Sequence, residues 1–250
     1  VLDLSEISDD YYVNMVLQTE LDLPQQRETL LHYFEQIQKR FSGNSRFFAR
    51  DKGDHVLEED REGGAYRWTS IEAKRLQSGF VNPDTVQMAI EQHENVLEIA
   101  PYALSLSYLD CESLSVIFGF DYHYSGNQSE LIAEALGTPL ALSSLIDQVG
   151  SGLVAYEPAI QFALGGDMQV QARLSFETHG NPFQQRDSES IAVGEDVLSV
   201  YLTVRRFEGF NRVGGFKEDL RQLISQATEL LENHVVDGVL HPLRSAIRAK

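Results

Sequence analysis

Apolar and polar positions alternate in two rhythms along this chain, and the clearest change from one to the other falls between Val197 and Val236. Leu198, Val200, Leu202 and Val204 alternate with Ser199, Tyr201, Thr203 and Arg205, the period-two pattern of a half-buried strand. After a loop from Glu208 to Gly215, Phe216, Leu220, Leu223, Ile224, Ala227, Leu230, Leu231 and Val235 recur every three or four residues. That stripe predicts an amphipathic helix with Lys217, Glu218, Arg221 and Glu232 on its wet side. Gly238 is expected to break it, leaving a short basic turn or two over Leu240–Lys250.

The same reading runs through the rest of the chain. A strand over Tyr12–Leu21, with Tyr12, Asn14, Val16, Gln18 and Glu20 outward, leads to a helix from Pro24 to Phe41. Extended segments follow at Arg46–Arg50, His55–Glu59 and Ala65–Lys74. Asn82-Pro83-Asp84 has the composition of a helix start, with cap, first-turn proline and favourable acid. Val86, Ala89, Ile90, His93, Val96 and Leu97 form the apolar side of that helix, Pro101 marks its end, and Tyr102–Leu109 reads as a strand. Leu114–Tyr124 is a strand. Asn127 and Glu130 have capping-box spacing for a helix that Gly137 and Pro139 stop. A short helix over Leu140–Gln148, strands at Ala155–Leu164 and Met168–Phe176 joined by Gly165-Gly166-Asp167, and a polar loop over His179–Glu189 complete the chain.

The order strand, helix, strands, helix occurs twice. The fold expected is α+β: two similar halves, residues 1–112 and 113–250, with a mainly antiparallel sheet and the long C-terminal helix packed on it. The alternative is one continuous domain in which the matching order is coincidental.

Composition narrows the partners. Hydrophobic residues make up 42% of the 250, enough for a sizeable core. No apolar run reaches the roughly 18 residues of a membrane span, and the first residues have no signal-peptide character. Cys111 is the single cysteine, so no internal disulfide forms, and a cytoplasmic setting fits. The net charge is −18, and from Leu76 to Ala172 there are twelve carboxylates and no Lys or Arg. Nucleic acid and anionic membrane would be repelled by that span; a basic protein surface would be attracted. The acidity also serves solubility alone.

Motifs for phosphate loops, dinucleotide turns, nucleophile elbows and zinc proteases are absent. Cys111 lies between Asp110 and Glu112, which should raise its pKa and leave it inert. His93 falls on an apolar helix face and reads as a hydrogen-bonded core histidine. One constellation remains. Asp121 and His123 share a strand face, and Glu177 and His179 repeat the spacing. If their strands were neighbours, the four could form the first shell of a divalent metal such as Zn²⁺ or Mn²⁺. Alternation on solvent-facing strands explains the same residues without a metal.

The strand and polar tail Leu114–Gly126, the apolar segment Leu140–Ile146, and the strand, long helix and tail from Val197 onward are similar to the plan of a sporadically distributed bacterial family of uncharacterised proteins of about 250 residues. The resemblance supplies no catalytic residues. The function expected is a protein-binding or regulatory module presenting a sheet face or a groove between its halves. The rival is an enzyme or small-molecule carrier with a pocket between the sheet and the C-terminal helix.

Overall fold

A computed structural model describes residue 4 and residues 6–50, 53–142, 153–178, 196–207, 209–210 and 215–250. Among the described residues nine strands form one antiparallel sheet. They are β1 (Asp10–Thr19), β2 (Arg46–Ala49), β3 (His55–Glu58), β4 (Tyr66–Ile71), β5 (Arg75–Val81), β6 (Cys111–His123), β7 (Ala159–Leu164), β8 (Val170–Thr178) and β9 (Val197–Arg206). The order across the sheet is β2-β3-β4-β5-β1-β6-β9-β8-β7. Thus β1 and β6, each the first strand of its half, pair at the centre (Val13 with Phe118). Each half then lays its later strands outward, β5-β4-β3-β2 on one side and β9-β8-β7 on the other.

The alternation decides which face is covered. On β1, Tyr11, Val13, Met15 and Leu17 are buried; on β6 and β9 the even-numbered residues Leu114–Tyr122 and Leu198–Val204 are. Register places all of these on one face. Five α-helices cover it: α1 (Arg27–Arg40), α2 (Val86–Ala103), α3 (Gln128–Leu136), α4 (Gly215–Leu230) and α5 (His241–Arg248). α2 lies over β5 and β1, and α4 over β6 and β9. The Tyr33 hydroxyl of α1 donates to Val96 O of α2 at 3.1 Å. The expected caps behave unequally. Asn127 Oδ1 accepts from Glu130 N at 3.2 Å and starts α3 as its spacing predicts.

Asn82 does not cap α2. It takes a left-handed conformation (φ 48°), accepts from Tyr11 N at 2.9 Å and ties β1 to the end of β5; α2 starts after Thr85. The expected strand at Tyr102–Leu109 is absent. Pro101 sits in the last turn of α2, which closes with Leu104 N on Ala100 O at 2.9 Å. Arg75–Val81, not expected as a strand, is β5, and hydrogen bonds to both neighbours outweigh the weak strand preference of Gln77-Ser78-Gly79.

Nor does Gly238 end the C-terminal helix. α4 continues through a π-helical stretch (Leu231–Leu240) into α5. Buried Leu231, Val235, Val236 and Leu240 recur every four to five residues, a spacing that suits the wider π turn. Their burial outweighs the roughly 1 kcal/mol that a helical glycine costs. Arg206 at the end of β9 anchors α4 from below. Its Nε lies 3.4 Å from Asp219 Oδ1 and its Nη2 donates to Gln222 Oε1 at 2.7 Å, with both members of the ion pair nearly buried. Among the described residues no helix is long and apolar enough to cross a membrane. The expected helix over Leu140–Gln148 is described only at its first three residues, and the expected loop over His179–Glu189 begins where the described residues stop.

Candidate functional site

The face opposite the helices carries a cleft of about 770 Å³. Its lining comes from seven adjacent strands, β4 to β7 in sheet order, centred on the β1–β6 pair where the halves meet. Two rows of side chains, fixed by register, form most of the floor. One runs from Trp68 through Gly79, Asn14, Ile117 and Thr203 to Arg173. The next runs from Tyr66 through Val81, Tyr12, Gly119 and Tyr201 to Ser175.

The two glycines shape that floor. A Cβ on Gly79 would collide with the Trp68 indole and Asn14 Oδ1, and one on Gly119 with the Tyr12 ring. Glycine therefore lets both rings lie down across the neighbouring strand and present a face to the cleft. Tyr12 and Tyr201 meet with ring centroids 6.3 Å apart. The Tyr12 hydroxyl points at Asp121 Oδ1 (3.4 Å), and Ser199 Oγ donates to the same oxygen at 2.7 Å. Burial, then Tyr201 and Asp121, push the Tyr12 phenol well above its usual range, so it stays protonated.

At the β9–β8 side the wall carries Arg205, Arg173 and Glu177. Arg205 Nε donates to Ser115 Oγ at 2.8 Å, and its guanidinium lies 5.6 Å from the centre of the Phe207 ring. Arg173 stands diagonally across from it, paired in register with Thr203. Both line the cleft, and neither makes an ion pair with a carboxylate among the described residues. Asn14 Oδ1, which meets Gly79 from the strand opposite Trp68, is buried and accepts no hydrogen bond among the described residues.

The four residues considered for a metal are only partly brought together. Asp121 and Glu177 fall on one row, with Ser199 between them. Two strand spacings, about 10 Å, separate their backbones. His123 is one row further on, and its Nδ1 lies 3.6 Å from Asp9 Oδ2. His179 lies outside the described residues. Among the described residues no three His, Cys, Asp or Glu form a group that could hold a metal.

Two other expectations concern reactive groups. Cys111 is pushed up to about 12, first by burial and then by Asp110, and donates to Ser107 O at 3.2 Å; it is a poor nucleophile. His93 is fully buried under the helix face, with Nδ1 2.7 Å from Ser78 Oγ and Nε2 3.2 Å from Val13 O. The carbonyl can only accept, so Nε2 carries the proton and the Ser78 hydroxyl donates to Nδ1.

Three of the twelve carboxylates of the acid-only span meet the chain's own cations. Glu94 receives Arg221 (2.6 Å) and Glu98 receives Lys217 (3.1 Å), both from α4, while Lys250 reaches Glu134 of α3 (2.8 Å). The near-balanced last fifth of the sequence folds back onto the acidic middle. Periodicity pointed to the outward residues of β1 and β9. It could not show that Trp68, Tyr12, Tyr201 and Arg173 share one cleft, because that depends on strand order. No protein-family model matches the chain, and no curated protein matches it.

Proposed function

We propose that the protein is a binding module and that the open face of its sheet is the surface it binds with. The observation that carries this is the cleft itself: about 770 Å³, spread over seven strands and floored by aromatic rings seated on glycines. Flat aromatic faces with scattered amides, hydroxyls and two arginines suit recognition, in which rings supply contact area and polar groups set orientation.

The rival, an enzyme or carrier with a pocket under the C-terminal helix, has less support. That interface is filled by Leu220, Leu223, Ala227 and Leu231 packed over β6 and β9. The clefts on that side are smaller, about 460 and 280 Å³, and lie against the second half of the helix. A basic protein partner for the acidic span has less support too, since the chain's own lysines and arginines meet Glu94, Glu98 and Glu134. Free Cys111 fits a reducing, cytoplasmic setting. The mirrored strand order of the halves supports an internal duplication.

Trp68 is the only tryptophan and lines the cleft, so its emission reports occupancy directly. Pools of peptides, oligosaccharides and nucleotides are titrated against the full chain. One class is expected to shift Trp68 emission, and Tyr201→Ala to weaken that binding about tenfold with the melting temperature preserved. If no class moves the emission, or Tyr201→Ala binds as the parent does, the open face is not the binding surface.

A further inference from the structure

The dimensions and charge of the cleft say more about its occupant. Seven strands span six inter-strand spacings, about 29 Å at roughly 4.8 Å each. A chain lying fully extended across them would run for about nine residues at 3.3 Å per residue. Backbone groups of these strands are already paired with neighbours on both sides, except along the outer edge of β7. The occupant is therefore held by side chains from below, as a chain crossing the strands, and not by adding a strand.

Two arginines, Arg173 and Arg205, and two carboxylates, Asp121 and Glu177, line that path. Arg173 and Arg205 are diagonal cross-strand neighbours, about 7–8 Å apart at the backbone. Two like charges so placed repel unless an anion sits between them. Elsewhere Arg46 and Arg61 share Glu58, Arg67 holds Glu59 and Arg206 holds Asp219, whereas Arg27, Arg40, Arg50, Arg244 and Arg248 make no ion pair among the described residues. In the cleft neither Arg173 nor Arg205 makes one among the described residues. Arg205 is held by Ser115 and Phe207, which leaves its terminal nitrogens available as donors. At the other side, Trp68 and the unsatisfied, buried Asn14 Oδ1 both lie against Gly79.

Resting on the reading of the open face as the binding surface, we infer that the ligand is an extended peptide segment of a partner protein, with acidic side chains on Arg173 and Arg205 and an apolar side chain on Trp68. A display library of random nonapeptides, panned against the full chain, tests this. Enriched sequences should carry two Asp or Glu residues near one end and an aliphatic or aromatic residue four to seven positions away. They should quench or shift Trp68 emission and lose at least tenfold in affinity to Arg173→Glu. Panning Arg173→Glu itself should remove the acidic preference. If enriched peptides need Tyr201 yet show no acidic preference, the open face still binds and the charge assignment is overturned. If Trp68 answers only to oligosaccharides or nucleotides, the peptide is overturned and the surface stands. If nothing moves Trp68, both fall together.

Discussion

His93 gives the sharpest quantitative prediction. The imidazole is completely buried, and burial lowers its pKa from about 6.5 to about 3, with the Val13 carbonyl opposing only in part. Both ring nitrogens already have neutral partners, and a second proton on Nδ1 would displace the hydroxyl hydrogen of Ser78. The folded pKa is depressed, so between pH 6.5 and 3 the unfolded chain binds the proton that the folded chain refuses. The stabilisation is therefore complete above about pH 6.5 and is lost as pH falls toward 3, at up to about 1.4 kcal/mol per unit. Between pH 7 and pH 5 the loss should come to about 2 kcal/mol.

Other groups titrate across the same range, and the carboxylates of a chain this acidic are among them. A comparison with His93→Gln removes what the two proteins share. Urea unfolding, followed by Trp68 emission, gives the stability of each at pH 7 and pH 5. The variant is expected to be the less stable at pH 7, because the glutamine cannot reproduce both ring hydrogen bonds. The gap should then shrink by about 2 kcal/mol at pH 5. A gap that stays constant within about 0.5 kcal/mol would refute the buried neutral imidazole, and with it the packing of α2 on β1 and β5.

The C-terminal helix supplies two further tests. Leu223→Ala, at a fully buried site, should cost about 2–5 kcal/mol, whereas half-buried Leu230→Ala should cost a smaller part of that; calorimetry checks both. Asp219→Ala should cost about 3–5 kcal/mol because it strands Arg206 in the interior, while Arg221→Gln, at the exposed Glu94 pair, should leave the urea midpoint unchanged. Gly119→Ala should push the Tyr12 ring off the floor of the cleft, lowering the melting temperature and changing the near-ultraviolet circular dichroism of the tyrosines.

Much of the fold was legible because half-burial imprints itself on alternate residues. β1, β6 and β9 each have one face under helices and one open, and their periodicity is clean. β5 was illegible for the reason that makes it useful: Gly79 carries no side chain and so no pattern, yet it seats Trp68. The helix starts show the limit of local chemistry. Asn127 and Asn82 have similar sequence credentials, but only Asn127 caps a helix. Asn82 is drawn instead to the Tyr11 backbone, 71 residues away in sequence. Gly238 failed as a stop signal because tertiary burial of its neighbours exceeds its intrinsic cost.

The two wings share a strand order but divide the work of the open face. The first wing brings Tyr66, Trp68 and Tyr12, with the Arg61 guanidinium 5.0 Å from the centre of the Tyr66 ring and held by Glu58 at 2.7 Å, and with Arg50 beside Tyr66 and Trp68. The second brings Tyr201 together with Arg173 and Arg205. A ligand crossing the β1–β6 seam would pass from Tyr66, Trp68 and Tyr12 to a shelf where Tyr201, Arg173, Arg205 and Glu177 stand together, although the strands beneath are arranged alike. Topology alone would allow it to lie in either direction. In the proposed peptide, acidic side chains on Arg173 and Arg205 would set the direction, from the wing that follows the long acid-only stretch of sequence. Arg173 is the first basic residue after Arg75. On the proposed reading it would give an acidic protein a local site for an acidic segment, where the overall field would otherwise repel it.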